Sequence, residues 1–446
     1  MKYINNKICT ASLILVVLTL FSCKKDFFYE GINDDPTQLK DPTPSLMLAP
    51  ILLSSGYEYG GDESRFPSIF MQQITGAANQ SFSAGIYNIS PDDVDNMWSF
   101  GFYGGLMNNT YDLIAKAEEL DQNYYHAVGQ ITMANLLQRT TDLWGDVPYT
   151  DAFKGNESKN AAFDSQESIY KQIFDLLNAG IAEIEAGDAG ANVPGVDDYI
   201  YSGDMDKWLK FAHALKARCF IHLTKVDPAY YDSVINEIPD AFGSNDDNAF
   251  IPFSASSVNS ENPTFQFNDQ RGDITYDGYL QTIMKDANDP RVAEYYDGDD
   301  DTQLGSFYGS PNSSVPLMTF YELKFIEAEA QFQKGDKDAA AAAYNDAVKA
   351  NLNYTVGNDA YAATVAKTAA DITLEDIMTQ KYIALFLRSE SWTDWRRTGI
   401  PAITPASGNV TQGIIPRALI YPSKEVRYNT NTPKDRTLKS KVWWDK

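Results

Sequence analysis

Apolar and small residues recur at helical spacing in two consecutive arms of residues 321–352: Tyr321, Phe325, Ala328 and Phe332, then Ala340, Tyr344, Ala347 and Leu352. The pattern predicts a helical hairpin. Between the arms, Gly335 can close the first helix in a left-handed conformation without a Cβ clash, and Asp336 can accept hydrogen bonds from the free N–H groups that open the second. The same recurrence appears elsewhere. Ser90, Pro91 and Asp93 read as a helix start ahead of Val94, Trp98, Phe102, Leu106, Leu113 and Ala117, a spacing that assigns Trp98 to the core rather than to a binding surface. A second helix over 124–143 ends where Gly145 and Pro148 force a turn. Asp164 and Glu167 form a capping pair before Tyr170, Ile173, Leu177, Ile181 and Ile184. Trp208, Phe211, Leu215 and Cys219 mark another amphipathic helix, and a shorter one through Val234 and Ile238 follows Asp227-Pro228. Thr373 and Asp376 cap a helix that runs through Ile377 and Tyr382 to Leu387.

Several regions break the pattern. Residues 46–90 begin with apolar, helix-like pieces and pass into QQITGAANQSFSAGIYN, a loop rich in amides, glycine and aromatics. Residues 187–205 are a loop rich in Gly and Asp, and the chain after 401 is punctuated by proline. Residues 242–315 scatter aromatics among Asn, Asp, Ser, Gly and Pro with little period, which predicts loops, turns and short strands packed on the helices. In the hairpin, the offsets between Ala328, Gly335, Ala340, Tyr344 and Ala347 are 7, 5, 4 and 3, which resembles one tetratricopeptide unit of about 34 residues. The expected fold is therefore mainly α. Helical hairpins at about 90–240 and 316–400 stack as a tetratricopeptide-like scaffold, and an irregular, loop-rich lobe from about 46–90 and 242–315 is mounted on it.

With 446 residues, 43% of them hydrophobic, the chain is long enough to bury a large core. Its 36 basic residues stand against 61 acidic ones, a formal charge of −25, which argues against nucleic acid and anionic lipid as partners. At the N-terminus, Lys2 and Lys7 flank the start of an apolar run over 8–21 that is too short to span a bilayer comfortably and sits where an export signal belongs. Leu20-Phe21-Ser22-Cys23 resembles a lipobox. Residues 1–22 are thus expected to be a lipoprotein signal peptide, Cys23 the lipidated residue, 23–45 a polar, proline-rich tether, and 46–446 a single domain. Cys9 leaves with the signal and Cys23 is taken by lipid, so Cys219 stands alone and stability must come from packing rather than a disulfide.

Several strings now invite comparison: the lipobox, LWGDVPY at 143–149, the hairpin itself, QKYIALFLRSESWTDWRRTGIP at 380–401, PRALIYPSKEVRYN at 416–429 and the closing VWWD. Together they resemble the SusD/RagB family of nutrient-binding outer-membrane lipoproteins from Cys23 to the terminus. The resemblance implies a four-repeat helical scaffold with a ligand-binding lobe. It also implies a partner, a SusC-like TonB-dependent transporter over which the lipoprotein sits as a lid, and lipid anchoring in the outer membrane of a Gram-negative cell, facing outward. By themselves, Trp392, Trp395, Arg396 and Arg397 suggest stacking and cation–π packing where a helix meets a loop.

Catalytic signals are weak. His126, His213 and His222 lie on predicted helices without the i, i+4 spacing of two zinc ligands, and read as packing or surface residues. There is no nucleophile elbow, phosphate-cradling loop or dinucleotide fingerprint in a strand-to-helix setting, so no enzyme and no cofactor are expected. Asp297, Asp299, Asp300 and Asp301 superficially resemble a calcium loop, but Thr302 and Tyr308 stand where glycine and a bidentate acid are needed, and a solvated acidic turn is the better reading. Sugar binding has a simpler requirement, an aromatic face for C–H stacking beside amides, acids or Arg for the hydroxyl rim. On that ground Asn79, Gln80, Phe82 and Tyr87 in one loop, with Arg271, Tyr276 and Tyr308 in another, are the candidate ligand residues. The ligand is expected to be an oligosaccharide. The rivals are an oligopeptide, a helical-repeat scaffold that holds only proteins, and a surface glycosidase whose acid pair the sequence does not locate.

Overall fold

In the computed structural model the described residues are 41–155, 159–190, 192–298 and 303–446; Cys23 and nearly all of the tether lie outside them, as do Asp299, Asp300, Asp301 and Thr302. The expected lobe opens with helices where its apolar, helix-like pieces predict them, α1 (Pro44–Gly60) and α2 (Asp62–Phe70). Leu48, Ile51, Leu52, Ser55 and Tyr59 recur on one face of α1 and are buried. Gly56 on that face is required, since a Cβ there would lie 2.6 Å from the Ile251 side chain. A short strand β1 (Thr75–Gly76) and the two-turn helix α3 (Asn79–Gly85) follow.

Ser90 and Asp93 cap a 3-10 turn at Pro91–Val94 by reciprocal hydrogen bonds, as the sequence predicts. The helix expected to run unbroken from there does not. Met97–Met107 is a π-helix that passes into α4 (Asn108–Glu119). Glycines permit the wider turn: a Cβ on Gly104 or Gly105 would stand 2.5 Å from the Ser99 carbonyl oxygen or 2.2 Å from that of Phe100. Next come α5 (Asn123–Trp144), buried along nearly its whole length, α6 (Gln166–Ala186), α7 (Met205–His222) and α8 (Tyr230–Glu237). The cap of α6 is Ser165, not Asp164, whose carboxylate instead accepts from the Tyr149 and Thr150 amides and ties down the preceding turn.

The middle region contains the expected short strands, β2 (Ala249–Ile251), β3 (Ile274–Thr275) and β4 (Val315–Met318), and also helices that its missing period concealed, among them α9 (Pro263–Arg271) and α10 (Tyr279–Asp286). The strands form two antiparallel pairs, β1 with β3 and β2 with β4. The predicted hairpin is α11 (Phe320–Lys334) and α12 (Lys337–Thr355). Gly335 sits between them at φ +87° and the Asp336 carboxylate accepts from the Ala339 amide at 3.0 Å. After it come α13 (Leu374–Ala384), capped by Thr373 and Asp376, then α14 (Glu390–Thr398) and α15 (Ser423–Tyr428). Neighbouring helices pack in pairs, α4 with α5, α6 with α5 and α7, α8 with α7, and α11 with α12, α13 and α8. Pro44–Lys446 is one compact unit, mainly helical and tetratricopeptide-like, as expected.

Buried ion pairs cross between the helices. Arg218 of α7 donates to both oxygens of Glu322 on α11 at 2.7 and 2.8 Å, and Arg388 joins the same carboxylate at 3.1 Å. Arg397 forks onto Glu329 at 2.7 and 2.9 Å. The Arg396 guanidinium lies 3.8 Å from the centre of the Trp392 ring and 4.7 Å from that of Trp444. The aromatic-arginine run near 390 is therefore internal packing, as its sequence suggests.

Candidate functional site

The face of α1 turned away from the core contributes Ser54, Tyr57 and Glu58 to a groove of about 680 Å³. The π-helix supplies Phe100, Gly101 and Leu106, α2 supplies Asp62 and Arg65, and α9 supplies Gln266, Phe267 and Gln270, with Arg271 at its end. Two rings stand open to solvent there, Phe100 at 68% and Tyr57 at 48% exposure. Their neighbours are pinned. The Arg65 guanidinium stacks 3.7 Å from the centre of the Phe267 ring and bonds Asp62, while the Tyr57 hydroxyl donates to Gln266 Oε1 at 3.3 Å. Arg271 stands 6.0 Å from the same Phe267 ring.

Glu58 shapes the floor. Its carboxyl group is lodged against Gly101, where a Cβ would lie 2.5 Å from Oε2, so the glycine is what makes room for it. Burial, reinforced by the nearby Asp62 and Glu63, pushes this carboxyl well above the usual range against the pull of Arg139 and Arg65, which favours the neutral acid. Its Oε1 is shielded and has no hydrogen-bond partner. Behind the floor, Arg139 donates to Glu63 Oε1 and to Ser55 Oγ, both at 2.8 Å, and so fastens α5 to α2 and α1.

A smaller recess of about 430 Å³ opens beside the groove and shares Ser54 and Tyr57 with it; Tyr199, Phe253, Ser254, Asn259 and Ser260 line it together with Leu53 and Pro252. The other flank of the π-helix borders a third cavity of about 370 Å³ among Trp98, Tyr103, Phe153 and Tyr428.

Of the seven candidate ligand residues, only Arg271 reaches the groove. Tyr87 and Tyr276 are 1% exposed and Tyr308 is 7% exposed. They are corrected to core residues. Tyr87 stands edge-on to Phe70 and accepts from the Ala406 amide, Tyr276 donates to Asn268, and Tyr308 packs against Tyr295 and Phe386. Asn79 donates to Asp273 at 2.8 Å and Gln80 to Asp93 at 3.0 Å, so both amides fasten α3 to its surroundings. Phe82 is exposed on α3, away from the groove lining. Sequence reasoning missed Tyr57, Glu58, Arg65, Phe100 and Phe267. The signal for two of them was present in α1, where the inward spacing of Leu48, Ile51, Leu52 and Tyr59 leaves Tyr57 and Glu58 on the opposite face.

The histidines are all engaged with acids. His126 contacts Glu183 at 2.8 Å and His213 contacts Glu237 at 2.6 Å, while fully buried His222 lies between Glu390 and Asp142. Among the described residues no three His, Cys, Asp or Glu side chains gather as a metal-binding group, and no helix is long and apolar enough to cross a membrane.

The chain matches the SusD-like family, described as starch-binding and associating with the outer membrane, over residues 36–315 and 309–422. Solved structures share its fold at low identity. A chitin-binding SusD homolog from Flavobacterium johnsoniae is 22% identical, with 90% of this chain and 98% of that one covered and a TM-score of 0.77. A SusD/RagB family protein from Bacteroides thetaiotaomicron is also 22% identical, covering 91% and 99%, with a TM-score of 0.73. A SusD homolog from Bacteroides uniformis is 23% identical over 90% and 99%, with a TM-score of 0.72. No curated protein matches the chain.

Proposed function

We propose that this chain, which belongs to the SusD-like family of starch-binding proteins associated with the outer membrane, captures an oligosaccharide in the groove between α1, the π-helix and α9. It then passes the ligand unaltered to a SusC-like TonB-dependent transporter. The observation that carries this reading is the pairing of two exposed rings, Tyr57 and Phe100, with Gln270 and Arg271 in one concave site. Rings offer the faces on which the C–H side of a sugar stacks, and the amide and guanidinium match its hydroxyls. Chitin binding by the Flavobacterium homolog and starch binding in the family description support a glycan over a peptide. In the same reading, lipid on Cys23 anchors the protein to the outer membrane, facing outward.

Glu58 and Asp62 both line the groove, and an acid pair in a sugar site invites a hydrolytic reading. Their settings argue for binding instead. Asp62 is engaged by Arg65, and the Glu58 carboxyl is wedged on Gly101 with a shielded oxygen rather than held out to protonate a leaving group. The test is a glycan array probed with the full-length chain in detergent. Binding is expected to fall in Tyr57→Ala and Phe100→Ala, with no reducing ends released and with an outer-membrane barrel co-purifying. Tight peptide binding without any glycan response refutes the oligosaccharide reading.

A further inference from the structure

We infer that the 430 Å³ recess beside the groove is a second subsite, for uncharged sugar units of the same ligand, so that one glycan chain runs past Tyr57 from one cavity into the other. This rests on reading the groove as a carbohydrate site. Ser54 and Tyr57 are three residues apart on α1 and line both cavities, which makes a continuous wall of one helix face. At 680 and 430 Å³ each cavity is of a size that takes a small ligand.

The two cavities differ in chemistry. The groove carries Glu58, Asp62, Arg65 and Arg271, whereas no residue lining the recess is charged. Its lining sets the aromatic residues Tyr57, Tyr199 and Phe253 beside the neutral polar residues Ser54, Ser254 and Asn259. Rings beside neutral donors and acceptors suit a sugar without carboxylate or ammonium groups, and in a chain of net charge −25 a recess free of ionised groups also spares such a ligand any charge to desolvate.

The recess is also built before any ligand arrives. Tyr199 follows Asp198, a buried carboxylate that accepts from the amides of Ile200, Tyr201 and Gly203 and from Trp208 Nε1 at 2.8 to 3.2 Å. The 254–260 segment is closed on itself, because the Ser254 amide donates to the Ser260 carbonyl at 2.7 Å and Ser260 Oγ donates back to the Ser254 carbonyl at 3.0 Å. The backbone beside Tyr199 and Phe253 is thus already ordered before a ligand binds, so stacking on their rings contributes to affinity.

The test measures affinity against chain length on linear, uncharged glycans of one to eight units, using the full chain in detergent. For the wild type, affinity is expected to rise with length beyond the shortest binder. Tyr199→Ala and Phe253→Ala should each remove about tenfold of affinity for the long chains and leave the shortest binder unchanged, and Tyr199→Trp should keep the gain. Tyr199 is 42% exposed, and its replacement leaves the Asp198 network intact. Equal affinity at all lengths, or equal loss at all lengths in the variants, overturns the second subsite while short-chain binding keeps the groove reading standing. Displacement of long glycans by oligopeptides in a Tyr199-dependent manner overturns it as well. Absence of binding by any glycan to the wild type refutes the groove reading itself.

Discussion

Replacement of His222 is a sharp test of how this interior is stabilised. The imidazole is fully buried on α7, with Nε2 at 2.5 Å from Glu390 of α14, and Nδ1 at 3.2 Å from Asp142 of α5 and 2.9 Å from the Tyr170 hydroxyl of α6. Burial alone lowers the imidazole pKa, but the two facing carboxylates more than reverse this and push it from 6.5 up to about 9. The same contact seen from the other side draws Glu390 down from 4.5 to about 2, against the upward effect of its own burial. These are two views of one interaction and are not added. A rise of this size in the histidine corresponds to about 3 kcal/mol of stability at 1.36 kcal/mol per unit. The sign follows from the raised folded value: the contribution is fully present below pH 6.5 and is lost as pH climbs through 9. His222→Gln leaves both acids buried without their shared cation, and the expected cost near pH 6 is about 3–5 kcal/mol. Urea unfolding of wild type and variant from pH 6 to pH 10 measures the difference, which should shrink by about 3 kcal/mol over that range. A gap that stays constant with pH would show that the buried imidazole is not charged, and would refute the reasoning.

Two further substitutions probe the groove and the anchor. Gly101→Ala places a methyl 2.5 Å from the Glu58 carboxyl; the displaced acid should enter the groove and weaken glycan affinity at a stability cost of about 1–2 kcal/mol, and unchanged affinity by calorimetry would show that Glu58 does not shape the floor. Cys23→Ala should move the protein from the membrane fraction to the soluble fraction on cell fractionation, and continued membrane retention would refute the lipobox reading.

The scaffold was legible wherever local signals and burial agree. The α11–α12 hairpin was readable because its apolar spacing, the left-handed Gly335 and the Asp336 cap all specify one structure. The π-helix was not, since its apolar residues fit a 3.6-residue period and only the close approach of carbonyls over Gly104 and Gly105 reveals the wider turn. The groove was largely hidden for a different reason. Composition marked Tyr87, Tyr276 and Tyr308 and passed over Tyr57 and Phe100, because a ring beside polar residues looks the same in sequence whether it finds an internal partner or its face meets solvent. Tyr87 accepts from the Ala406 amide and Tyr276 donates to Asn268. The partners lie 319 and 8 residues away, and no local pattern announces the longer pairing.

The separation of frame from ligand lobe, natural from the sequence, gives way to a closer coupling in α1. One face of this helix is core, through Leu48, Ile51, Leu52 and Tyr59; the other carries Ser54, Tyr57 and Glu58 into the groove. What fixes its position includes a buried polar chain in which Ser389 donates to Glu63, Glu63 receives Arg139, and Arg139 donates to Ser55 on α1. Breaking one member of such a chain leaves an uncompensated buried charge, so α1 and α2 cannot shift cheaply relative to α5. A site mounted on helices held in this way is preorganised, and the ligand does not have to order its walls. The run at 380–401, which supplies Ser389 along with Lys381, Arg388 and Arg397, therefore positions the groove without lining it. Its aromatic and charged residues hold the helices whose outer face lines the groove.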